Sequence, residues 1–241
     1  MTTLILATRN AHKVQEIQAI LGTVCRYLTL DDFAAAPPIV EDGATFEENA
    51  LKKAVGLAQW LLKNQKFQAP ILTDTPDERG PVFVLADDSG LEVDALGGSP
   101  GVHSARFAHH GTKLPGNAPD AANNQKLLAA LKGIPEGRRT ARFRCLIAAA
   151  PLELGDPLRR SLDLMGDSLA KRTTLSSGAC EGTIAFGSSG RGGFGYDPLF
   201  VPQGHTVSFA ELGEKVKNEL SHRARALQLL KKWLERTAPK N

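Results

Sequence analysis

The sequence predicts an α/β fold with a mixed central sheet, in one domain spanning residues 1–241. Two observations predict it. Short apolar runs of strand type recur along the chain, and the segments between them carry apolar residues at helical spacing. "LILA" (Leu4 to Ala7) reads as the first strand. "TRNAHKVQEIQAILG" follows at once: Asn10 suits an N-cap, Val14, Ile17 and Ile20 or Leu21 form an apolar face, and Gly22 ends the helix. "VCRYLTL" reads as a second strand. The loop "AAAPPIVEDGA" leads into "TFEENALKKAVGLAQWLLK", which opens on a capping box, Thr45 with Glu48. Its apolar positions Leu51, Ala54, Val55, Ala58, Leu61 and Leu62 follow the helical period. From Asn64 to Pro81 the pattern becomes a polar loop, and "VFVLA" restores a strand. "APDAANNQKLLAALKGIP" reads as a helix ended by Gly133 and Pro135, "ARFRCLIAAA" as a strand entering a core, and "CEGTIAFG" as another strand. "VKNELSHRARALQLLKKWLERT" carries Leu220, Ala224, Leu227, Leu230 and Leu234 on one face, so a helix covers the sheet.

Composition excludes several classes. Hydrophobic residues at 42% and charged residues at 23% are ordinary for a globular protein. A net charge of +3, from 29 basic and 26 acidic residues, is too slight to imply a nucleic-acid partner. Cys25, Cys145 and Cys180 form no CxxC pair, which argues against a zinc ribbon or a disulfide framework and fits a reducing compartment. "TLILAT" lacks the basic start and apolar length of a signal peptide, and no segment approaches the roughly 18 apolar residues of a membrane span. A cytoplasmic protein without a membrane partner is expected.

The most unusual stretch is "FVLADDSGLEVDALGGSPGVHSARF". No Lys or Arg falls between Arg79 and Arg106, yet Asp87, Asp88, Glu92 and Asp94 do. Such carboxylates repel one another unless water, a metal or a distant basic group compensates. A solvated turn after an edge strand is the ordinary outcome; a divalent-cation site at the carboxyl end of a strand is the chemical one. "LATRNAHK" puts Thr8, Asn10 and Lys13 where a strand hands over to a helix N-terminus, which attracts phosphate, although taken alone, with no Walker A pattern, an N-capped helix with a surface lysine is the better explanation. "GRGGFG" matches the dinucleotide fingerprint but precedes "YDPLF", where Pro198 prevents a long helix, so a dinucleotide-binding oxidoreductase is rejected and a surface turn or a close-approach loop remains. From Glu214 onward eight basic residues stand against three acidic ones, usually a solvated helix face, but "SHRARA" puts Ser221, His222 and Arg223 in a row at or near the helix start, where they could serve as donors to a ligand.

Taken in order, "TRNAHK", "TFEENA", "ADDSGLEVDALGGSPGVHSAR", "GFGYDPLF" and "KNELSHRARAL" resemble the inosine/xanthosine triphosphate pyrophosphatase family over nearly the whole chain. Segments 63–81 and 151–174 look like insertions, and Arg9 stands where a small residue is frequent. The resemblance implies an elongated domain whose two lobes flank a substrate cleft, paired as a homodimer. It also implies Mg2+-dependent hydrolysis of aberrant purine nucleoside triphosphates to monophosphate and pyrophosphate, with a pyrophosphatase of modified pyrimidine nucleotides as the alternative. Asp88 matches the acidic residue that binds metal and serves as general base, and Glu41 a second metal contact. Asp87 would then assist from beyond the direct ligands, since Mg2+ often takes only one or two carboxylates directly. Thr8, Arg9, Asn10, Ala11, His12 and Lys13, with Lys217, would neutralise the triphosphate, and Ser89 would orient a phosphate. Phe194, followed by Gly195 and Tyr196, offers a face for the purine, Asp197 a carboxylate for ribose or base, and His222 and Arg223 donors to the base edge.

Overall fold

The computed structural model describes residues 1–71, 80–112, 114–154, 161, 163 and 167–237. The two segments read as insertions lie partly outside these residues. Among the described residues six strands form one mixed sheet in the order β2-β1-β3-β4-β5-β6. They are β1 (Thr2–Leu6), β2 (Cys25–Thr29), β3 (Val82–Val93), β4 (Thr140–Pro151), β5 (Thr174–Ile184) and β6 (Phe200–Pro202). The helices are α1 (Ala11–Leu21), α2 (Phe46–Lys63), α3 (Asp120–Ala130), α4 (Ser168–Arg172), α5 (Phe209–Leu220) and α6 (His222–Thr237). The α/β class with a mixed sheet is therefore found. Among the described residues no helix is long and apolar enough to cross a membrane.

Two compact units share the chain. The first comprises Met1–Asp88, Leu146–Ser176 and Leu227–Asn241. Here β1 pairs in parallel with β2 on one side and β3 on the other, in the registers Leu6↔Thr29 and Leu6↔Leu85. Leu4, Ile5 and Leu6 are all fully buried, so this central parallel strand is covered on both faces, as its unbroken apolar run requires. Asn10 caps α1 by accepting the Lys13 N–H (3.2 Å), and Gly22, at φ 68°, ends it. Thr45 caps α2 by accepting the Glu48 N–H (3.1 Å), while Glu48 reaches back to the Ala44 N–H (2.7 Å) rather than to Thr45 itself.

The second unit comprises Ser89–Cys145 and Ser177–Ala226. Its core gathers Leu91, Val93, Leu127, Leu131, Phe143, Tyr196, Phe200 and Phe209, with Phe143 against Phe200 at 4.6 Å and Phe200 stacked on Phe209 at 5.5 Å. β5 and β6 run antiparallel. A full capping box opens α5, between Ser208 and Glu211.

Three elements differ from the sequence reading. β3 does not stop at the acidic pair but runs for 12 residues through Asp87 and Asp88. It is β1 that ends there: the Ala7 N–H donates to the Leu85 carbonyl (2.8 Å), and the chain then leaves the sheet. The segment expected to form one C-terminal helix breaks at Ser221, whose backbone is extended (φ −66°, ψ 162°) and whose hydroxyl accepts the Ala224 N–H at 3.1 Å. β6, three residues long, was too short to leave a periodic signal.

Candidate active site

In the first unit the site begins where β1 ends. Neighbouring parallel strands whose connections leave in different directions open a crevice at their carboxyl ends, and ligands of α/β folds collect there. The Thr8 hydroxyl accepts the Asn10 N–H (3.1 Å), and the Asn10 side chain is occupied as the cap of α1. Arg9 is exposed and donates to the Ala36 carbonyl (3.2 Å); Ala11 and His12 are exposed in the first turn. Lys13, one turn into α1, reaches β3 and pairs with the buried Asp87 carboxylate.

Asp88 has a different set of partners. Successive strand residues point to opposite faces, and α2 supplies the contacts to Asp88. Asn49 donates to one carboxylate oxygen at 3.2 Å and Lys53 to the other at 2.9 Å. Lys53 also donates to the Asp87 carbonyl (2.7 Å) and lies 3.3 Å from the Glu41 carboxylate. Asn49 is fixed in turn, because its side-chain oxygen accepts the Gly43 N–H at 2.8 Å. A Cβ at Gly43 would stand 2.7 Å from that oxygen, so only glycine brings the Glu41 loop so close to α2.

Burial pushes the Asp88 carboxyl above its ordinary range; Lys53 and Lys13 pull it down without restoring it, and Glu41 adds to the rise. Burial draws the Lys53 ammonium down, but Asp88, Glu41 and Asp87 outweigh that effect and raise it. A carboxyl destabilised as an anion beside a firmly charged ammonium suits a general base that shares one buried environment with its counter-charge.

No group of three or more His, Cys, Asp and Glu side chains among the described residues could hold a metal. Two carboxylates do converge on one cation: Lys53 stands within 3.3 Å of both Glu41 and Asp88. Glu41 and Asp88 are hard oxygen donors aimed at a common positive charge, and Mg2+ commonly takes only one or two protein carboxylates and keeps several waters. The residues fit Mg2+.

In the second unit the centre is Asp197, which is 1% exposed. One of its oxygens accepts both the Phe194 N–H (2.8 Å) and the Lys217 ammonium (2.6 Å). That ammonium also lies 4.1 Å above the Phe194 ring, and the Arg223 guanidinium lies 5.8 Å from it. The turn needs a glycine at 193: its φ is 73°, and a Cβ there would meet the Asp197 carboxylate at 2.2 Å. Arg223 is fully buried and donates to the Ser89 hydroxyl at 2.9 Å. His222 lies flat on Phe143 (4.8 Å, 13° between planes). Gly178 lets the start of α6 press on β5, since a Cβ there would lie 2.1 Å from the His222 carbonyl.

The structure thus gathers Glu41, Asp87, Asp88 and Lys13 in the first unit. In the second it gathers Ser89, Phe194, Asp197, Lys217, His222 and Arg223. Ser89, read as a phosphate contact, meets Arg223. Gly195, at φ 63°, supplies backbone. Tyr196 turns into the core, where its hydroxyl donates to the Ser104 carbonyl (2.9 Å) and burial raises its phenol, keeping it protonated. Sequence reasoning missed Asn49 and Lys53. Their signal was two polar residues on the helix stripe that buries Ala50, Ala54, Leu57 and Ala58.

The profile of the Ham1 family matches residues 4–233. The chain is 42% identical to the dITP/XTP pyrophosphatase of Shouchella clausii, covering 100% of both chains, and 44% identical to that of Geobacter sulfurreducens, covering 97% of each. Among solved structures it resembles the HAM1 protein of Coxiella burnetii, with a TM-score of 0.72 and 34% identity over 98% of this chain and 100% of that one. The Ham1 protein of Staphylococcus aureus gives a TM-score of 0.70 and 31% identity over 97% and 98%.

Proposed function

We infer the function from the family: this chain belongs to the Ham1 family. It is a nucleoside triphosphate pyrophosphatase, hydrolysing noncanonical purine nucleoside triphosphates such as dITP, ITP and XTP to the monophosphate and pyrophosphate. The observation in the structure that carries the chemistry is Asp88, a buried carboxylate gripped at 3.2 Å by Asn49 and at 2.9 Å by Lys53.

In this reading Asp88 takes a proton from the water that attacks the α–β phosphoanhydride, and burial supplies the basicity. Lys53 holds that carboxylate in place and stays cationic. Lys13, at the start of α1, and the exposed first turn of that helix offer positive charge to the departing pyrophosphate, where charge develops. We propose Mg2+ as the cofactor, held by Asp88 and Glu41; when bound it neutralises phosphate charge. Phe194 stacks the purine, and Asp197, tied to its N–H, keeps that ring in register. A 6-keto purine presents an acceptor where adenine presents a donor, so the donors Arg223 and His222 favour hypoxanthine and xanthine through the penalty of a mispaired polar edge. A homodimer in the cytoplasm completes the proposal. The buried cysteines support a reducing compartment, and sedimentation measures the assembly.

The test is pyrophosphate release from a panel of purine and pyrimidine triphosphates, with Mg2+ and with chelator. Release from dITP and XTP that chelator abolishes is expected. Release from modified pyrimidine nucleotides alone would overturn the substrate, and undiminished release with chelator would overturn the cofactor.

A further inference from the structure

The Phe194 loop is held by Asp197 of its own motif and by two residues outside the recognised motifs. Glycine flanks Phe194 on both sides, Gly193 at φ 73° and Gly195 at φ 63°, so the backbone bearing the ring is intrinsically loose. Asp197 restrains the inner side, accepting the Phe194 N–H at 2.8 Å and donating its own N–H to the Phe194 carbonyl at 3.3 Å. The outer side is held by the first turns of α3. Asp120 accepts the Gly195 N–H at 2.6 Å, and Asn124, one turn later on the same face, donates to the Gly195 carbonyl at 3.0 Å. Both polar groups of a single glycine are thus captured by an i, i+4 pair.

A second observation bears on Asn124. It is 7% exposed, and with its amide N–H turned to Gly195 its side-chain oxygen is buried without a hydrogen-bond partner among the described residues. A buried acceptor without a protein partner favours no particular packing, so the amide contact to the Gly195 carbonyl is the interaction that orients Asn124.

We propose that Asp120 and Asn124 are positioning residues for base recognition: their clamp on Gly195 fixes the Phe194 ring for the incoming purine. The inference rests on the reading that Phe194 stacks the base. Loss of the clamp lets the loop sample orientations in which the ring no longer meets the purine, so nucleotide binding weakens while the phosphate chemistry carried by Asp88 persists.

Steady-state kinetics with dITP, beside inhibition by inorganic pyrophosphate, tests it. Asp120→Ala should raise KM about tenfold, with kcat within about twofold of the parent and pyrophosphate inhibition unchanged. Asp120→Asn keeps the acceptor but removes the charge, and should restore KM; a merely helix-stabilising aspartate would not be rescued this way. If Asp120→Ala does not fold, Asn124→Ala carries the same readout. An unchanged KM in the folded alanine variant, or equal damage to KM, kcat and pyrophosphate inhibition, overturns the clamp. Phe194→Ala separates the two ideas. If it leaves KM unchanged, the stacking reading itself falls; if it raises KM while Asp120→Ala does not, only the clamp falls.

Discussion

Lys53 and Asp88 meet at 2.9 Å with side chains only 9% and 8% exposed, on a helix face otherwise lined by Ala50, Ala54 and Leu57. A lysine there is compensated by Asp88 together with the Glu41 carboxylate and the Asp87 carbonyl. Lys53→Met should leave Asp88 buried with Asn49 as its remaining α2 partner. Removing one partner of a buried pair destabilises by about 3–5 kcal/mol. Adding Asp88→Asn to Lys53→Met should recover part of that loss, because the stranded charge is gone. Urea unfolding of the four proteins measures it; strictly additive effects would mean the pair is not coupled.

Asp88→Asn alone should keep the fold and lose roughly 10²–10⁴-fold in turnover, the range for a removed general base. Near-parental turnover at saturating Mg2+ would remove Asp88 from that role. Glu41→Gln should shift the Mg2+ titration to higher concentration while sparing the maximal rate more than Asp88→Asn does.

Arg223→Ala should narrow the preference for inosine over adenosine triphosphate by about ten- to a hundredfold, the equivalent of a charge-assisted hydrogen bond of roughly 1.5–3 kcal/mol. The ratio of kcat/KM for the two nucleotides is the readout, since it cancels any general loss from emptying a buried position. An unchanged ratio with both values lowered would make Arg223, with its hydrogen bond to Ser89, a structural residue.

Burial raises the Cys180 thiol from 9.0 to about 11. A group whose pKa is raised by folding contributes stability that is present below its unfolded value and lost as pH rises through its folded value. The native state should therefore lose stability between pH 9.0 and about 11, and Cys180→Ala should flatten that slope. Unfolding midpoints measured across this window check it.

The fold was legible where local rules decide it. Asn10 and Gly22 bound α1 as their capping chemistry requires, and "LILA" is buried on both faces as an uninterrupted apolar run should be. The acidic pair was misplaced relative to β3 because its compensating charges come from far along the chain. Lys53 is 35 residues from Asp88 and Lys13 is 74 from Asp87, and no local pattern reports such contacts. A helix start at or near Ser221 was legible, as its capping bond requires, whereas the separate helix before it was concealed by apolar residues that continue the helical period through Leu220. Of the candidate site, the motif residues could be named from resemblance. Asp120 and Asn124 could not, because a polar residue within a helix reads as solvent-facing until its partner is seen; Lys53 and Asn49 left only the faint signal of polar residues on the apolar stripe of α2.

The fate of dITP tests the assigned hydrolysis most directly. Phosphorus NMR of dITP incubated with the protein and Mg2+ should show deoxyinosine monophosphate and pyrophosphate growing in equal amounts, with dATP consumed far more slowly under the same conditions and Asp88→Asn at least roughly 10²-fold slower toward dITP. Orthophosphate with the diphosphate as products, or dATP consumed as fast as dITP, would contradict it.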